Sequence, residues 1–77
     1  MFKEAKKYSE IIEIKRDLIN KGYVEVCGIY TIDDIYDKIN DKKFVDKKRF
    51  VNFNGWFIFL DKHQKISKDY IYKFIVG

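Results

Sequence analysis

The sequence predicts a small α+β domain, and three local patterns carry that prediction. Residues 4–20 repeat apolar side chains at a helical period, a second such segment follows Thr31, and an Asn54-Gly55 pair divides two apolar runs. A chain of 77 residues holds one hydrophobic core. We therefore expect a single domain, residues 1–77, ordered as helix, strand, helix, β-hairpin and a C-terminal helix or strand.

The first helix is predicted over residues 4–20, with Gly22 at the position of a helix C-cap. Its apolar side chains recur at helical spacing and are expected to share one buried face. They are Tyr8, Ile11, Ile12, Leu18 and Ile19. Residues 23–30, "YVEVCGIY", are β-branched and aromatic and predict a strand, in which Cys27 is expected to be a small core residue.

The second helix is predicted to begin after Thr31. Thr31 and Asp34 have the spacing of a capping box, and Asp33 adds negative charge where the helix dipole favours it. Apolar residues line one face as far as Ile39. Residues 41–50, "DKKFVDKKRF", have only a weak apolar pattern, so the sequence favours a basic loop there, with a short third helix as the alternative.

The hairpin is predicted within residues 49–60, "RFVNFNGWFIFL". Both residues of the Asn-Gly pair tolerate positive φ, which a two-residue type I′ turn requires. In the resulting register Phe53 opposes Trp56 and Phe50 opposes Phe59. Both faces of the hairpin are then apolar, so both need cover. Helices on each face, a second copy of the chain, or a stacked ligand are the three covers that the sequence leaves open.

The C-terminal segment, residues 67–76, carries two signals. Ser67 has the position of an N-cap, and Ile66 and Ile71 have the spacing of a hydrophobic staple. The letters "YIYKFIV" are instead rich in strand formers. We favour a helix, with a strand as the alternative.

Composition limits the cellular setting and the chemistry. One cysteine and one histidine cannot build a disulfide framework or a zinc site within one chain, so no metal is expected. No apolar run is long enough for a membrane span, and the first residues lack a signal-peptide core. Abundant Lys, Ile, Asn, Tyr and Phe, all with AT-rich codons, suggest a low-GC bacterium or its phage or plasmid. We expect a cytoplasmic protein that has no membrane partner and no cofactor.

The sequence predicts a protein that is not an enzyme. His63 lies in a polar turn without a nucleophile or an orienting acid at a suggestive spacing. The Asp33–Asp34 pair is expected to cap a helix rather than bind a metal. No phosphate-binding loop or dinucleotide fingerprint is present.

The expected function is binding, through a basic segment followed by an aromatic hairpin. Lysines and arginines neutralise phosphates, and aromatic rings stack on unpaired bases. The predicted nucleic-acid-binding or partner-binding residues are Lys42, Lys43, Lys47, Lys48, Arg49, Phe50, Trp56, Phe57 and Phe59. The formal net charge of +4 is compatible with nucleic acid, or a nucleoprotein complex, as the partner.

Three alternatives stay open. The chain is compatible with a phage- or plasmid-type inhibitor, anti-CRISPR-like in its role, that blocks a host nuclease or another host protein through the same basic and aromatic surface. It is also compatible with a structural homodimer. If residues 42–49 are helical, the element order resembles that of a winged helix, with residues 41–49 as the recognition helix and Asn54-Gly55 at the wing tip.

Overall fold

A mixed four-stranded sheet forms the middle layer of the computed structural model, which describes residues 1–75. The strands are β1 (Phe2–Glu4), β2 (Val24–Glu25), β3 (Arg49–Phe53) and β4 (Trp56–Leu60). The helices are α1 (Tyr8–Asn20), α2 (Ile32–Ile39) and α3 (Lys68–Ile75). The strand order is β1-β4-β3-β2; β4 pairs antiparallel with both neighbours, and β2 pairs parallel with β3. The predicted α+β class is confirmed.

The Asn-Gly hairpin forms in the predicted register. Asn54 and Gly55 have φ values of 50° and 88°, as a type I′ turn requires. Phe53 then pairs with Trp56, and Phe50 pairs with Phe59. Because side chains alternate along a strand, this register fixes which hairpin residues face each side of the sheet.

Helices cover both faces of the sheet, which is the first of the three covers considered. On one face, Val51 and Ile58 pack in a cluster with Ile35 of α2 and Ile71 of α3. On the other face, a second cluster forms around α1. It contains Ala5, Leu18, Phe50 and Phe57, with Ile11 and Ile14 packed against it. The hairpin is therefore apolar on both faces because it is the centre of a three-layer arrangement.

The first helix begins at Tyr8 rather than at residue 4, because residues 2–4 form strand β1. Phe2 pairs with Ile58 of β4 and packs against the α2–α3 cluster, so the strand gains both backbone pairing and burial. Helix α1 buries Leu18 and turns Tyr8, Ile12 and Ile19 outward, with exposed fractions of 77%, 41% and 50%. The expectation that one buried face holds all five predicted apolar residues, Tyr8, Ile11, Ile12, Leu18 and Ile19, is wrong.

The predicted strand over residues 23–30 is reduced to Val24–Glu25, with irregular backbone after it. This segment lies at the edge of the sheet and pairs only with β3, so it has one neighbour to extend along. Gly28 has a φ of 80°, which is incompatible with continued β-structure. The Cys27 side chain is exposed, so its predicted core position is wrong.

Helix α2 has the predicted capping box. The Asp34 amide donates to Thr31 Oγ1 at 3.2 Å, and the Thr31 amide donates to Asp34 Oδ2 at 3.0 Å. The Tyr30 amide also donates to Asp34 Oδ2, at 3.0 Å. This hydrogen bond, together with that from the Thr31 amide, holds the pKa of the Asp34 carboxyl below its ordinary range. The cap therefore fixes the first residue of α2.

Residues 41–48 form hydrogen-bonded turns and not a helix, as favoured from the sequence. The Phe44 amide, for example, donates to the Asp41 carbonyl at 2.9 Å. A winged helix needs a recognition helix directly before the hairpin, and in the described chain β3 follows α2 without one. The winged-helix alternative is therefore wrong.

Helix α3 is capped as the sequence predicts. The Tyr70 amide donates to Ser67 Oγ at 3.2 Å, and Ile66 and Ile71 are both buried in the α2–α3 cluster. The predicted helix is thus confirmed as far as Ile75 and the strand alternative is wrong; the predicted last residue of this element, Val76, lies outside the described residues. None of the helices in residues 1–75 has the length and apolarity that crossing a bilayer requires.

Candidate functional site

Two polar loops meet at one end of the hairpin. Strand β3 begins where β4 ends, since Arg49 pairs with Leu60, so the loop that enters β3 lies beside the loop that leaves β4. The His63 amide joins the two loops by donating to the Val45 carbonyl at 2.6 Å. We call this region, residues 41–48 and 61–65, the basic end.

The basic end carries six lysines against three aspartates. The lysines are Lys42, Lys43, Lys47, Lys48, Lys62 and Lys65. All except the half-buried Lys48 are exposed. Ion pairs in the described part of the chain involve Lys15, Lys21 and Lys68, and none of the six. Their positive charge is therefore available to an anionic partner.

Arg49, predicted to contact phosphates, is instead a buried structural residue with 0% of its surface exposed. Its guanidinium donates only to main-chain carbonyls, those of Ile39 at 2.9 Å, Lys47 at 3.2 Å, Asp61 at 2.7 Å and Gln64. Burial lowers its pKa. Arg49 therefore ties the end of α2 to both loops of the basic end and does not reach a ligand.

Lys48 lies against a second part of the chain, the link between α1 and β2. Its ammonium donates to the Lys21 carbonyl at 3.2 Å and sits 4.7 Å from the centre of the Tyr23 ring. The Lys21 ammonium, by contrast, is paired with Asp17 at 2.9 Å. The contacts of Lys48 are to a neutral carbonyl and a π face, so they orient its charge without neutralising it.

A cleft of about 230 Å³ opens beside Lys48, on the α1 side of the sheet. Its lining consists of Met1, Tyr23, Phe59, Asp61 and Gln64. The rings of Tyr23 and Phe59 meet edge to face, with centroids 5.8 Å apart at 87°. We call this feature the Tyr23–Phe59 cleft.

The polar wall of the cleft is held by two hydrogen bonds. Tyr23 Oη donates to Asp61 Oδ1 at 3.1 Å, and the Asp61 amide donates to Gln64 Oε1 at 2.9 Å. The pKa of Tyr23 is raised, chiefly by burial of the phenol and secondly by this hydrogen bond to Asp61. The wall thus presents a carboxylate and a side-chain amide beside two aromatic rings.

Of the aromatic residues predicted as a binding surface, only Phe59 lies near the lysines and is partly accessible. Phe50 and Phe57 are 0% exposed because α1 packs over them, so they cannot stack on a ligand and that part of the prediction is wrong. Trp56 is half-buried at the turn, opposite Phe53. Four residues of strand, about 13 Å, separate it from the level of Arg49. The predicted residue set is therefore divided between the two ends of the hairpin and the core.

Sequence reasoning missed several residues that the fold adds to this end. The positions of Lys62 and Lys65 could have been predicted from the hairpin register, because a two-residue turn brings the segment after β4 beside the segment before β3. Tyr23 had no such signal, since its position depends on the parallel pairing of β2 with β3, which are far apart in the chain. In residues 1–75 no three His, Cys, Asp or Glu side chains are grouped as metal ligands.

A second surface feature is the outward face of α1. Tyr8, Ile12 and Ile19 form an apolar stripe there, and Lys15 and Arg16 flank it. A shallow groove of about 280 Å³ runs between Ile12, Ile19 and these two basic residues. We call this feature the α1 stripe.

The chain was compared with known proteins at the level of sequence and fold. No protein-family model, curated protein or solved structure shows significant similarity to it.

Proposed function

We propose that this chain is a non-enzymatic binding protein that holds single-stranded nucleic acid at its basic end. The observation that carries the proposal is the convergence of two lysine-bearing loops, joined by the hydrogen bond from His63 to Val45 and by the buried Arg49. A cytoplasmic location, where the exposed Cys27 thiol stays reduced, is part of the proposal.

Charge supports a phosphate-bearing ligand. Each lysine that neutralises a phosphate releases a condensed counterion, so unpaired lysines contribute more to affinity than lysines already in ion pairs. The six lysines of the basic end have no carboxylate partner within ion-pair distance in the described chain. The loops that carry them are tied to the sheet, which keeps the charges together.

Shape favours a single strand over duplex DNA. Readers of the major groove insert a helix or a two-stranded ribbon, whereas the basic end is built of turns at one end of the two central strands. Single-strand binders instead combine a positive surface with accessible aromatic rings. Phe59 and Tyr23 supply such rings beside Lys48.

The test measures the affinity for a mixed-sequence single-stranded oligonucleotide as a function of salt concentration. The slope of log affinity against log salt is negative for a phosphate-binding site. We expect Lys42→Gln and Lys62→Gln, one on each loop, each to reduce its magnitude by about one unit or slightly less. Lys7→Gln is the matched control. It removes the same charge at the start of α1, beside the hairpin turn, where the Ala5 amide donates to the Gly55 carbonyl.

The control variant should keep the wild-type slope. Equal effects of all three substitutions would mean that only net charge matters and would contradict a site at the basic end. An absence of oligonucleotide binding at low salt would exclude the proposed function.

A second candidate function is supported by the α1 stripe. Exposed apolar side chains rimmed by charges are typical of surfaces that dock another protein. In this reading the chain is an inhibitor-type protein that blocks a host nuclease or another host protein, and a homodimer through the same stripe is a third reading. The inhibitor and the homodimer readings both use the α1 stripe, whereas nucleic-acid binding uses the basic end. Substitutions on one surface therefore test these functions separately.

A further inference from the structure

We infer that the Tyr23–Phe59 cleft is a subsite for an unpaired nucleobase and that it selects guanine. The inference rests on the proposed function, because it places one base of the bound strand in a specific part of the same end of the molecule. It adds base selectivity to a surface whose lysines recognise only phosphates.

Location and size support a single base. Tyr23 lines the cleft and also carries the Lys48 ammonium against its ring, so a nucleotide with its base in the cleft has a cation near its phosphate. Its volume of about 230 Å³ is below the roughly 300–1,000 Å³ of pockets for drug-sized ligands. One planar ring system is a ligand of the right scale.

The aromatic wall is preorganised for stacking. Phe59 is held by β-pairing with Phe50 and by its edge-to-face contact with Tyr23. The Tyr23 hydroxyl is in turn fixed on Asp61. A ring already fixed in place loses little side-chain entropy when a base stacks on it, so more of the stacking free energy appears as affinity.

The polar wall is what selects guanine. Asp61 Oδ1 accepts from Tyr23, and Oδ2 has no hydrogen bond within residues 1–75, so the carboxylate retains acceptor capacity. Gln64 uses Oε1 to accept from the Asp61 amide, which leaves its NH₂ group as the donor. Guanine alone among the four bases presents two adjacent N–H donors, at N1 and N2, beside the O6 acceptor. A carboxylate with a neighbouring amide donor complements that edge.

The other bases fit this wall less well for an electrostatic reason. Adenine and cytosine present one amino group beside a ring-nitrogen acceptor, and uracil and thymine present one N–H between two carbonyls. Each would place a lone pair against the Asp61 carboxylate. The carboxylate, whose nearest opposite charge is the Met1 ammonium in the same lining, would then face an acceptor instead of a donor, so it would gain no hydrogen bond and would repel the lone pair.

The first experiment titrates the whole chain with GMP, AMP, CMP, UMP and ribose 5-phosphate, following the Phe59 and Tyr23 ring resonances by NMR. We expect GMP to bind most tightly and ribose 5-phosphate most weakly. A parallel titration uses a short single-stranded oligonucleotide of A and C with one central G, and the same strand with A in its place. The two arms distinguish a free nucleotide from a base within a strand.

Two pairs of variants test the walls of the cleft. Phe59→Leu should weaken GMP binding roughly 5- to 150-fold, the range seen when stacking rings are removed. Phe53→Leu, a half-buried phenylalanine at the other end of the hairpin, should leave it unchanged. Asp61→Asn should abolish the preference for GMP over AMP. Asp46→Asn removes the same charge at the basic end, outside the cleft lining, and should preserve that preference.

The outcomes separate the two proposals. Equal binding of all four nucleotides, or nucleotide binding no tighter than ribose 5-phosphate, would overturn the guanine subsite. If the oligonucleotide still bound with the lysine-dependent salt slope, the proposed function would stand without it. If no oligonucleotide bound, both proposals would fail. A thermal unfolding curve for each variant shows whether Phe59→Leu is folded, and Asp61→Asn tests the same cleft without changing an apolar residue.

Discussion

Arg49 shows how burial changes what a charged side chain does. In the sequence it ends a run of basic residues, which favours a phosphate contact, but as the first residue of β3 it points into the molecule. Its fixed fork of donors satisfies carbonyls from α2 and from both loops of the basic end. The lysines are thus positioned by an arginine that never meets the ligand.

We predict that Arg49→Met lowers the free energy of unfolding by about 2–4 kcal/mol, because several part-buried carbonyls lose a charged donor and the methionine offers none. Arg49→Lys should cost less, since an ammonium can still donate to some of them. Urea unfolding followed by circular dichroism measures both. The neighbouring Lys48→Met loses the same charge from a half-buried site and should change stability by no more than about 1 kcal/mol. Equal stability of Arg49→Met and wild type would contradict the structural role given to Arg49.

The hairpin is the element that organises the other strands. Its turn fixes the β3–β4 register, β1 adds to β4, and β2 adds to β3. The turn also receives the start of the chain, because the Ala5 amide donates to the Gly55 carbonyl at 2.7 Å. The conformation of Gly55 therefore affects both the turn and the link from β1 to α1.

We predict that Gly55→Ala destabilises the fold more than Gly22→Ala. Both glycines have positive φ, 88° and 92°, so each substitution has a similar backbone cost of roughly 1–2 kcal/mol. A Cβ at Gly22 meets no atom within 4 Å, whereas at Gly55 it lies 2.7 Å from the Ala5 carbonyl oxygen. Thermal unfolding of the two variants compares them directly. A smaller loss for Gly55→Ala would mean that the turn relaxes without affecting Ala5.

The basic end and the α1 stripe both lie on the outside of the layered fold, with no other element packed over them. Covering both sides of the sheet uses α1 on one side and α2 with α3 on the other, so α1 has no further layer outside it. Its outward apolar residues, Tyr8, Ile12 and Ile19, are therefore available to another molecule. The two surfaces serve different proposals and can be altered independently.

We predict that a variant carrying Ile12→Gln and Ile19→Gln binds nucleic acid like the wild type and unfolds within about 1 kcal/mol of it, because both side chains are already 41–50% exposed. Sedimentation velocity should show a monomer for both proteins. A stable interface buries roughly 800 Å² of surface on each partner. The three exposed apolar side chains on one face of a 13-residue helix offer less surface than that. A concentration-dependent dimer that the variant abolishes would instead support the homodimer. Loss of nucleic-acid binding in the variant would move the proposed site to α1.

Elements specified by nearby residues could be predicted from the sequence. The capping box of Thr31 and Asp34 and the Asn54-Gly55 turn depend on groups within a few positions of one another. The same holds for the staple of Ile66 and Ile71. Their hydrogen bonds and contacts form between chain neighbours, so the local letters contain the needed information. The four lysines of residues 42–48 could also be predicted as one basic cluster, because they are close together in the sequence.

Burial and the partners of each face could not be predicted, because they depend on residues that are distant in the chain. Hydropathy showed that both hairpin faces needed cover, but only packing assigned α1 to Phe50 and Phe57 and left Phe59 open to the cleft. Packing also turned Ile12 of α1 outward, made residues 2–4 a strand, and buried Arg49. Periodicity identifies an apolar face but not the neighbour it will meet. That neighbour is chosen by the competition among all elements for the same buried area, which is settled only when the chain folds.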